Sequence, residues 1–222
     1  MKKAFTLLEL IFVILIIGII SVITFPKIGN GKLRKAANQV VSHIRYTQHL
    51  AMSDDKYDKN NINWFKARWT IVFNSDAFTN NRESYTIFSD LPSYSGNPGT
   101  SEPAINPLNS SKMLSGGFTG GPNSLDIRHL SFAGTDELNI GTTYGITNVI
   151  FNTICQSNSS KRLSFDHIGR PLIGKMSSYL TPYTNNRILS GICQITLVNS
   201  EGNATISIDP ETGYVRITQI NI

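Results

Sequence analysis

The sequence predicts an α+β fold in which a long N-terminal α-helix, with its first half transmembrane, packs on an antiparallel β-sheet. Three observations predict this architecture. An apolar run extends from Phe5 to Phe25, an amphipathic stripe follows between Leu33 and Ala51, and the C-terminal third alternates apolar and polar residues between clusters of turn formers. The predicted order along the chain is therefore helix first and sheet last.

The apolar run has the length of a membrane span. As a helix it would measure about 31 Å at about 1.5 Å per residue, and the hydrocarbon core of a bilayer is about 30 Å thick. A secretory signal peptide and a plain one-helix anchor are the alternatives. The run is longer than the apolar stretch of a signal peptide, and it contains Glu9. Since a carboxylate in such a segment costs about 3 kcal/mol, Glu9 indicates a function.

The residues around Glu9 carry a family resemblance. Residues 2–9, Lys-Lys-Ala-Phe-Thr-Leu-Leu-Glu, resemble the leader and N-terminus of type IV prepilins and type II secretion pseudopilins. The resemblance implies cleavage between Ala4 and Phe5 by a prepilin peptidase, followed by methylation to N-methylphenylalanine at Phe5. Ala4 departs from the glycine common before the cut. Pro26 falls where the family often has a helix-kinking proline.

Under this resemblance, Glu9 would act in assembly. Cleavage would leave a charged amine on Phe5, and the Glu9 carboxylate of a neighbouring subunit could meet that amine in a filament. A low dielectric strengthens the attraction between two such charges. The sequence therefore predicts that Glu9 sets the axial register between subunits. The alternative is that Glu9 only reaches the membrane edge.

The resemblance also implies a domain organisation. It gives a prepilin leader at 1–4, a transmembrane half of the helix at 5–25, a periplasmic half at 26–52 and a globular β-rich domain at 53–222. A stretch crowded with Pro, Gly, Ser and Asn predicts a loop insertion near 91–123. The implied localisation is the bacterial inner membrane, single-pass, with the globular domain in the periplasm.

The C-terminal third predicts a β-meander, and its turns extend the resemblance. Alternating stretches at 194–198, 204–208 and 214–220 are joined by short connections. The turns at 166–171 and 209–213 are similar to those of the minor pseudopilin branch. The implied function is a minor pseudopilin of a type II secretion pseudopilus, a structural component that drives protein export through filament assembly. The alternative is a minor pilin of a type IV or competence pilus involved in DNA uptake or adhesion.

The partners implied by the resemblance are other pilin or pseudopilin subunits, the prepilin peptidase, an inner-membrane assembly platform and the lipid bilayer. DNA is a secondary partner that the sequence does not favour. The formal net charge of +5 is mild. Lys66 and Arg68 lie among aromatic residues between Lys56 and Trp69, a pattern that can contact nucleic acid. A connection between helix and sheet that is anchored by its tryptophans is the alternative.

The chain has two cysteines, Cys155 and Cys193. In an exported domain they would form a disulfide worth about 4 kcal/mol, and two buried thiols are the alternative. The sequence predicts no enzyme, no cofactor and no metal site, because the histidines are scattered and no hydrolase or nucleotide motif occurs. Asp136 and Glu137 lack the ligand spacing of a calcium loop.

Overall fold

The computed structural model describes residues 7–24, 31–184 and 187–222, and within the first of these ranges it describes the side chains of residues 7–17. The chain divides into two compact units, Met1–Gly31 and Lys32–Ile222.

The helices of the described ranges are α1 at Leu7–Thr24 (18 residues), α2 at Lys32–Ser53 (22 residues) and α3 at Ile140–Tyr144 (5 residues). The predicted long N-terminal helix packed on an antiparallel sheet is therefore wrong. Gly31 has a φ of +45°, which a right-handed helix does not accommodate. Because of this residue, α2 begins as a separate helix at Lys32.

No helix in these ranges is both long enough and apolar enough to cross a membrane. This finding overturns the transmembrane half predicted at 5–25. It also overturns the predicted localisation as a single-pass inner-membrane protein with a periplasmic domain.

The strands within the described ranges form two four-stranded antiparallel sheets and a two-stranded hairpin. Their bounds are β1 Trp69–Asn74, β2 Ser84–Ser89, β3 Ile105–Asn106, β4 Asn109–Met113, β5 Asn148–Phe151, β6 Arg162–Phe165, β7 Pro171–Ile173, β8 Cys193–Asn199, β9 Gly202–Ile208 and β10 Val215–Asn221. The first sheet has the order β2-β1-β6-β7, the second has the order β10-β9-β8-β5, and β3 pairs with β4. The predicted meander is confirmed, because β8, β9 and β10 pair consecutively and antiparallel.

Helix α2 buries one face against strands of both four-stranded sheets. The residues predicted to form its apolar stripe are all buried: Leu33, Ala37, Val40, Ile44, Thr47 and Ala51. At the start of the helix, the Leu33 amide donates to Glu201 Oε2 at 3.2 Å. An acid at this end stabilises a helix because the first amides have no partner within it.

The segment 91–123, predicted as a loop insertion, contains the β3–β4 hairpin and adds Leu114 and Phe118 to the buried residues. Its backbone bonds to β2. The Ile87 amide donates to the Leu114 carbonyl at 2.9 Å, and the Ala104 amide donates to the Ile87 carbonyl at 2.8 Å. Composition predicted a surface excursion, but these backbone hydrogen bonds make part of the segment a continuation of the core.

Cys155 and Cys193 form a disulfide with their Cα atoms 5.2 Å apart. The bridge joins the turn after β5 to the first residue of β8, and both residues are fully buried. It therefore fastens the edge strand of the second sheet close to the meander.

Candidate functional sites

Helix α1 is the first candidate site. Glu9 lies in its first turn and is exposed. The other described side chains of α1 are all apolar and exposed, with exposed fractions from 43% at Val13 to 78% at Leu7. The processing residues Ala4 and Phe5 and the kink residue Pro26 lie outside the described residues.

The predicted nucleic-acid contact at Arg68 lies inside the protein. Arg68 is only 4% exposed, and its Nη1 donates to the Pro182 carbonyl at 2.6 Å. The guanidinium lies 5.1 Å from the Trp64 ring centroid and 4.6 Å from that of Tyr183. Burial lowers the pKa of Arg68. The residue therefore clamps two segments together, and little of it is accessible to an external phosphate.

Lys66 is the more accessible residue of that predicted pair. It is half-buried, and its ammonium lies 6.0 Å from the Phe65 ring centroid. Nearby, Lys56 lies 5.1 Å from the Trp69 ring centroid. These contacts place cations beside aromatic rings at the surface, as the sequence pattern indicated, but Arg68 does not join them.

The two turns that carry part of the family resemblance meet at one side chain. Gln48 of α2 donates from Nε2 to the Gly169 carbonyl and to the Thr212 carbonyl, each at 2.8 Å. Asp166, almost fully buried at the start of the first turn, accepts from Arg170 Nε at 2.9 Å. The sequence predicted both turns from their residue types. It did not predict that both turns would contact the same side chain of α2.

A cleft of about 570 Å³ is a further candidate site, and it lies within the Lys32–Ile222 unit. It is lined by residues of α2, of the β3–β4 hairpin and of the segment before α3: Gln39, His43, Asn106, Leu108, Asn109, Lys112, Thr135, Asp136, Glu137 and Leu138. The wall combines a cation, Lys112, with two acids, Asp136 and Glu137, and two leucines. The cleft therefore has no strong preference for a ligand of one charge.

A partly buried hydrogen-bond network adjoins this cleft. Gln39 Nε2 donates to the Tyr85 hydroxyl at 2.8 Å, and Tyr144 donates to Gln39 Oε1 at 2.6 Å. The Tyr85 hydroxyl lies 2.6 Å from His43 Nδ1. Burial lowers the pKa of His43 to about 4, so the ring is neutral at neutral pH. Sequence reasoning missed this network because its members are far apart along the chain.

The network fixes α2 to β2 and α3, and it offers little for catalysis. His43 and Tyr85 are hydrogen-bonded to each other, and burial raises the pKa of Tyr85 above its usual value. Within the three described ranges, no group of three or more His, Cys, Asp or Glu side chains could hold a metal ion. The absence of enzymatic activity stays a prediction.

Comparisons with protein-family models, with curated proteins and with solved structures found no match to this chain. The resemblance to pilins and pseudopilins therefore stays a prediction that depends on residues 2–9 and on the two turns.

Proposed function

We propose that this chain is a minor pseudopilin subunit of a type II secretion pseudopilus and that it drives protein export as a structural component of the filament. One observation carries the proposal. In α1, Glu9 is the only charged residue among the described side chains, and all the others are apolar and exposed. Contiguous exposed apolar surface of this kind marks an interaction site. Packing against the α1 helices of neighbouring subunits would cover it.

Glu9 gives this packing its register. A carboxylate enclosed among apolar helices is stable only when a positive charge or hydrogen-bond donors accompany it. The amine of a cleaved Phe5 on the neighbouring subunit supplies that charge at one axial offset. Other offsets leave Glu9 buried against hydrocarbon, so a single stagger is favoured.

The Lys32–Ile222 unit has its own buried core and its own disulfide. It can therefore keep its fold while α1 changes its surroundings during assembly. This separation is what a filament subunit needs, because the apolar helix carries the assembly contacts and the rest of the chain presents a stable surface.

Filament incorporation of Glu9→Gln tests the proposal. The variant keeps the shape of the side chain and removes its charge. We expect normal cleavage after Ala4, with recovery in the sheared filament fraction lower by about tenfold or more. The matched control is Glu211→Gln, which removes an exposed acid from the turn after β9. Wild-type incorporation of Glu9→Gln would contradict the proposal.

A second candidate function is a minor pilin of a type IV or competence pilus that takes up DNA. The observation in its favour is the pair of cations beside aromatic rings, Lys56 with Trp69 and Lys66 with Phe65. DNA affinity of the full chain, measured across salt concentrations, separates the candidates. Salt-sensitive binding that Lys66→Ala weakens and Arg82→Ala does not would favour DNA uptake. Absence of binding would favour secretion.

A further inference from the structure

Three cationic side chains line one pocket in the Lys32–Ile222 unit. The pocket has a volume of about 370 Å³, and its cations are Arg162 at the start of β6, Lys175 after β7 and Arg187. The remaining lining residues are neutral and polar: Ser157, Asn158, Ser160 and Ser178. A pocket lined by cations and hydroxyls, with no carboxylate in its wall, has a positive potential that favours an anion.

The charges of these three residues are not neutralised by ion pairs. None of them forms a salt bridge in the part of the chain that the structure describes. Elsewhere, arginines near turns do pair with acids, as Arg170 does with Asp166 at 2.9 Å and Arg216 with Asp209 at 2.8 Å. The pocket cations therefore differ from these two arginines, because no carboxylate lies within ion-pair distance of them among the described residues.

One carboxylate, Asp90, acts on Arg162 from outside the pocket wall. Its Oδ2 accepts from the Gly96 amide at 2.5 Å. Burial raises the pKa of Asp90. Burial also lowers the pKa of Arg162 to about 10, with Asp90 acting in the opposite direction. Arg162 thus stays charged at neutral pH. The Asp90 carboxylate is hydrogen-bonded to the Gly96 amide and forms no ion pair with Arg162.

Neutral partners hold both guanidinium groups in place. Arg162 donates to the Gly96 carbonyl and, from Nη2, to Asn97 Oδ1 at 2.9 Å. Arg187 donates to the Ser157 hydroxyl and lies 5.5 Å from the Tyr179 ring centroid. Positioning by neutral groups orients each guanidinium and leaves its charge available to a ligand.

The pocket wall also contains an unsatisfied hydroxyl. Ser160 Oγ is buried without a hydrogen-bond partner among the described residues. Ser160 closes a turn in which its amide donates to the Ser157 carbonyl at 2.9 Å, with φ values of 49° at Asn158 and 58° at Ser159. Left-handed backbone at two consecutive non-glycine residues is strained. A buried hydroxyl without a partner is a group that a ligand oxygen can satisfy.

We propose that this pocket binds the phosphate or sulfate group of a small anionic ligand. Arg162, Lys175 and Arg187 supply the positive charge, and the Ser160 hydroxyl donates to one oxygen. Guanidinium donors match the oxygens of such a group, and charge-assisted hydrogen bonds to it are short and strong. The volume lies within the range of small-molecule pockets, about 300–1,000 Å³, so an organic portion of the ligand has room beside the anion. This site is independent of the filament proposal.

Isothermal titration calorimetry of the full chain tests the proposal. The protein is kept in a mild non-ionic detergent because the α1 side chains are exposed and apolar. Inorganic phosphate and sodium sulfate are titrated separately at constant ionic strength, with chloride as the balancing anion. We expect saturable one-site binding of at least one oxoanion. Tighter binding of phosphate would identify a phosphate ligand, and tighter binding of sulfate would identify a sulfate ligand.

Paired variants locate the site. The double variant Lys175→Gln/Arg187→Gln is expected to weaken binding about tenfold or more, since each lost charge removes a charge-assisted contact. The matched control Lys59→Gln/Arg82→Gln removes the same charge from exposed positions outside the pocket and should bind like the wild type. Equal affinities of the two double variants would overturn the proposal, as would absence of saturation by about 10 mM of either oxoanion.

A single substitution keeps the test valid if the double variant does not fold. Lys175 makes no side-chain hydrogen bond or ion pair within the described residues, so Lys175→Gln is the least disruptive change in the pocket. Circular dichroism establishes that this variant is folded. We expect its affinity to fall about threefold or more, and an unchanged affinity would overturn the proposal.

Discussion

Helices α1 and α2 follow each other in the chain, yet their surroundings are opposite. Every described side chain of α1 is exposed, whereas α2 buries a stripe that includes Leu33, Val40 and Ile44, each with no exposed surface. The sequence pattern causes the difference. A helix with one apolar stripe finds its partner within the same domain, whereas a helix that is apolar all round needs to be enclosed. The comparison teaches that α2 belongs to the fold, whereas the described part of α1 leaves its apolar surface exposed, as the proposed assembly role requires.

The largest expected difference is between two variants that place an acid in α1 or in α2. Ile44→Asp buries a charge in the core and should destabilise the Lys32–Ile222 unit by about 4 kcal/mol or more. Ile14→Asp should change that unit by less than about 0.5 kcal/mol. Urea unfolding followed by the fluorescence of Trp64 and Trp69, which both lie in this unit, measures the two values. Similar losses in both variants would break the comparison.

The disulfide should have the next largest effect. Replacing Cys155 and Cys193 by serine releases the edge of the second sheet, and the chain-entropy argument gives a loss of about 4 kcal/mol, within a measured range of about 2–5 kcal/mol. Reduction of the wild type should lower its free energy of unfolding by the same amount, and its urea midpoint should fall accordingly. An unchanged midpoint would show that the bridge adds nothing to the stability of this unit.

The buried face of α2 also predicts a pH dependence. The pKa of His43 falls from 6.5 to about 4 on burial, so the unfolded chain takes up a proton first as the pH falls. Stability should therefore be full above about pH 6.5 and decline towards pH 4, by an amount on the order of 3 kcal/mol. Unfolding free energies across this range measure the slope.

Two histidine variants isolate this slope. His43→Gln removes the titrating ring and should flatten the dependence of stability on pH between 4 and 6.5. The control His49→Gln changes an exposed histidine of the same helix and should keep the wild-type slope. A slope that survives in His43→Gln would assign the pH dependence to another group.

The smallest expected effect is at the start of α2. Glu201→Gln removes the charge that accepts from the Leu33 amide at 3.2 Å, and it should cost about 0.5–1 kcal/mol. Glu211→Gln, an exposed acid of the same sheet's next turn, is the matched control and should be neutral. Equal effects in the two variants would show that Glu201 does not stabilise the end of the helix.

Local patterns predicted several elements correctly. The alternating spacing of four and three residues identified the buried stripe of α2, and period-two alternation identified the meander. The turn residues between 209 and 213 located the last hairpin. In each case the signal lies within a few residues, because helix and strand periodicity are local properties of the backbone.

Contacts between distant segments could not be predicted. Arg68 looked like a surface cation because only the fold brings Tyr183 and Pro182 over it. The proposed anion pocket brings Arg162 of β6 together with Lys175 and Arg187 of the connection between β7 and β8, and no spacing rule relates these three residues.

The central claim is that α1 is an assembly helix whose Glu9 meets the free amine of a cleaved Phe5 on a neighbouring subunit. Intact-mass measurement with N-terminal sequencing, on protein recovered from a cell that contains the prepilin peptidase, tests it most directly. The account predicts a chain that lacks residues 1–4, begins at Phe5 and carries one added methyl group. A chain that begins at Met1, or downstream of Pro26, would contradict it.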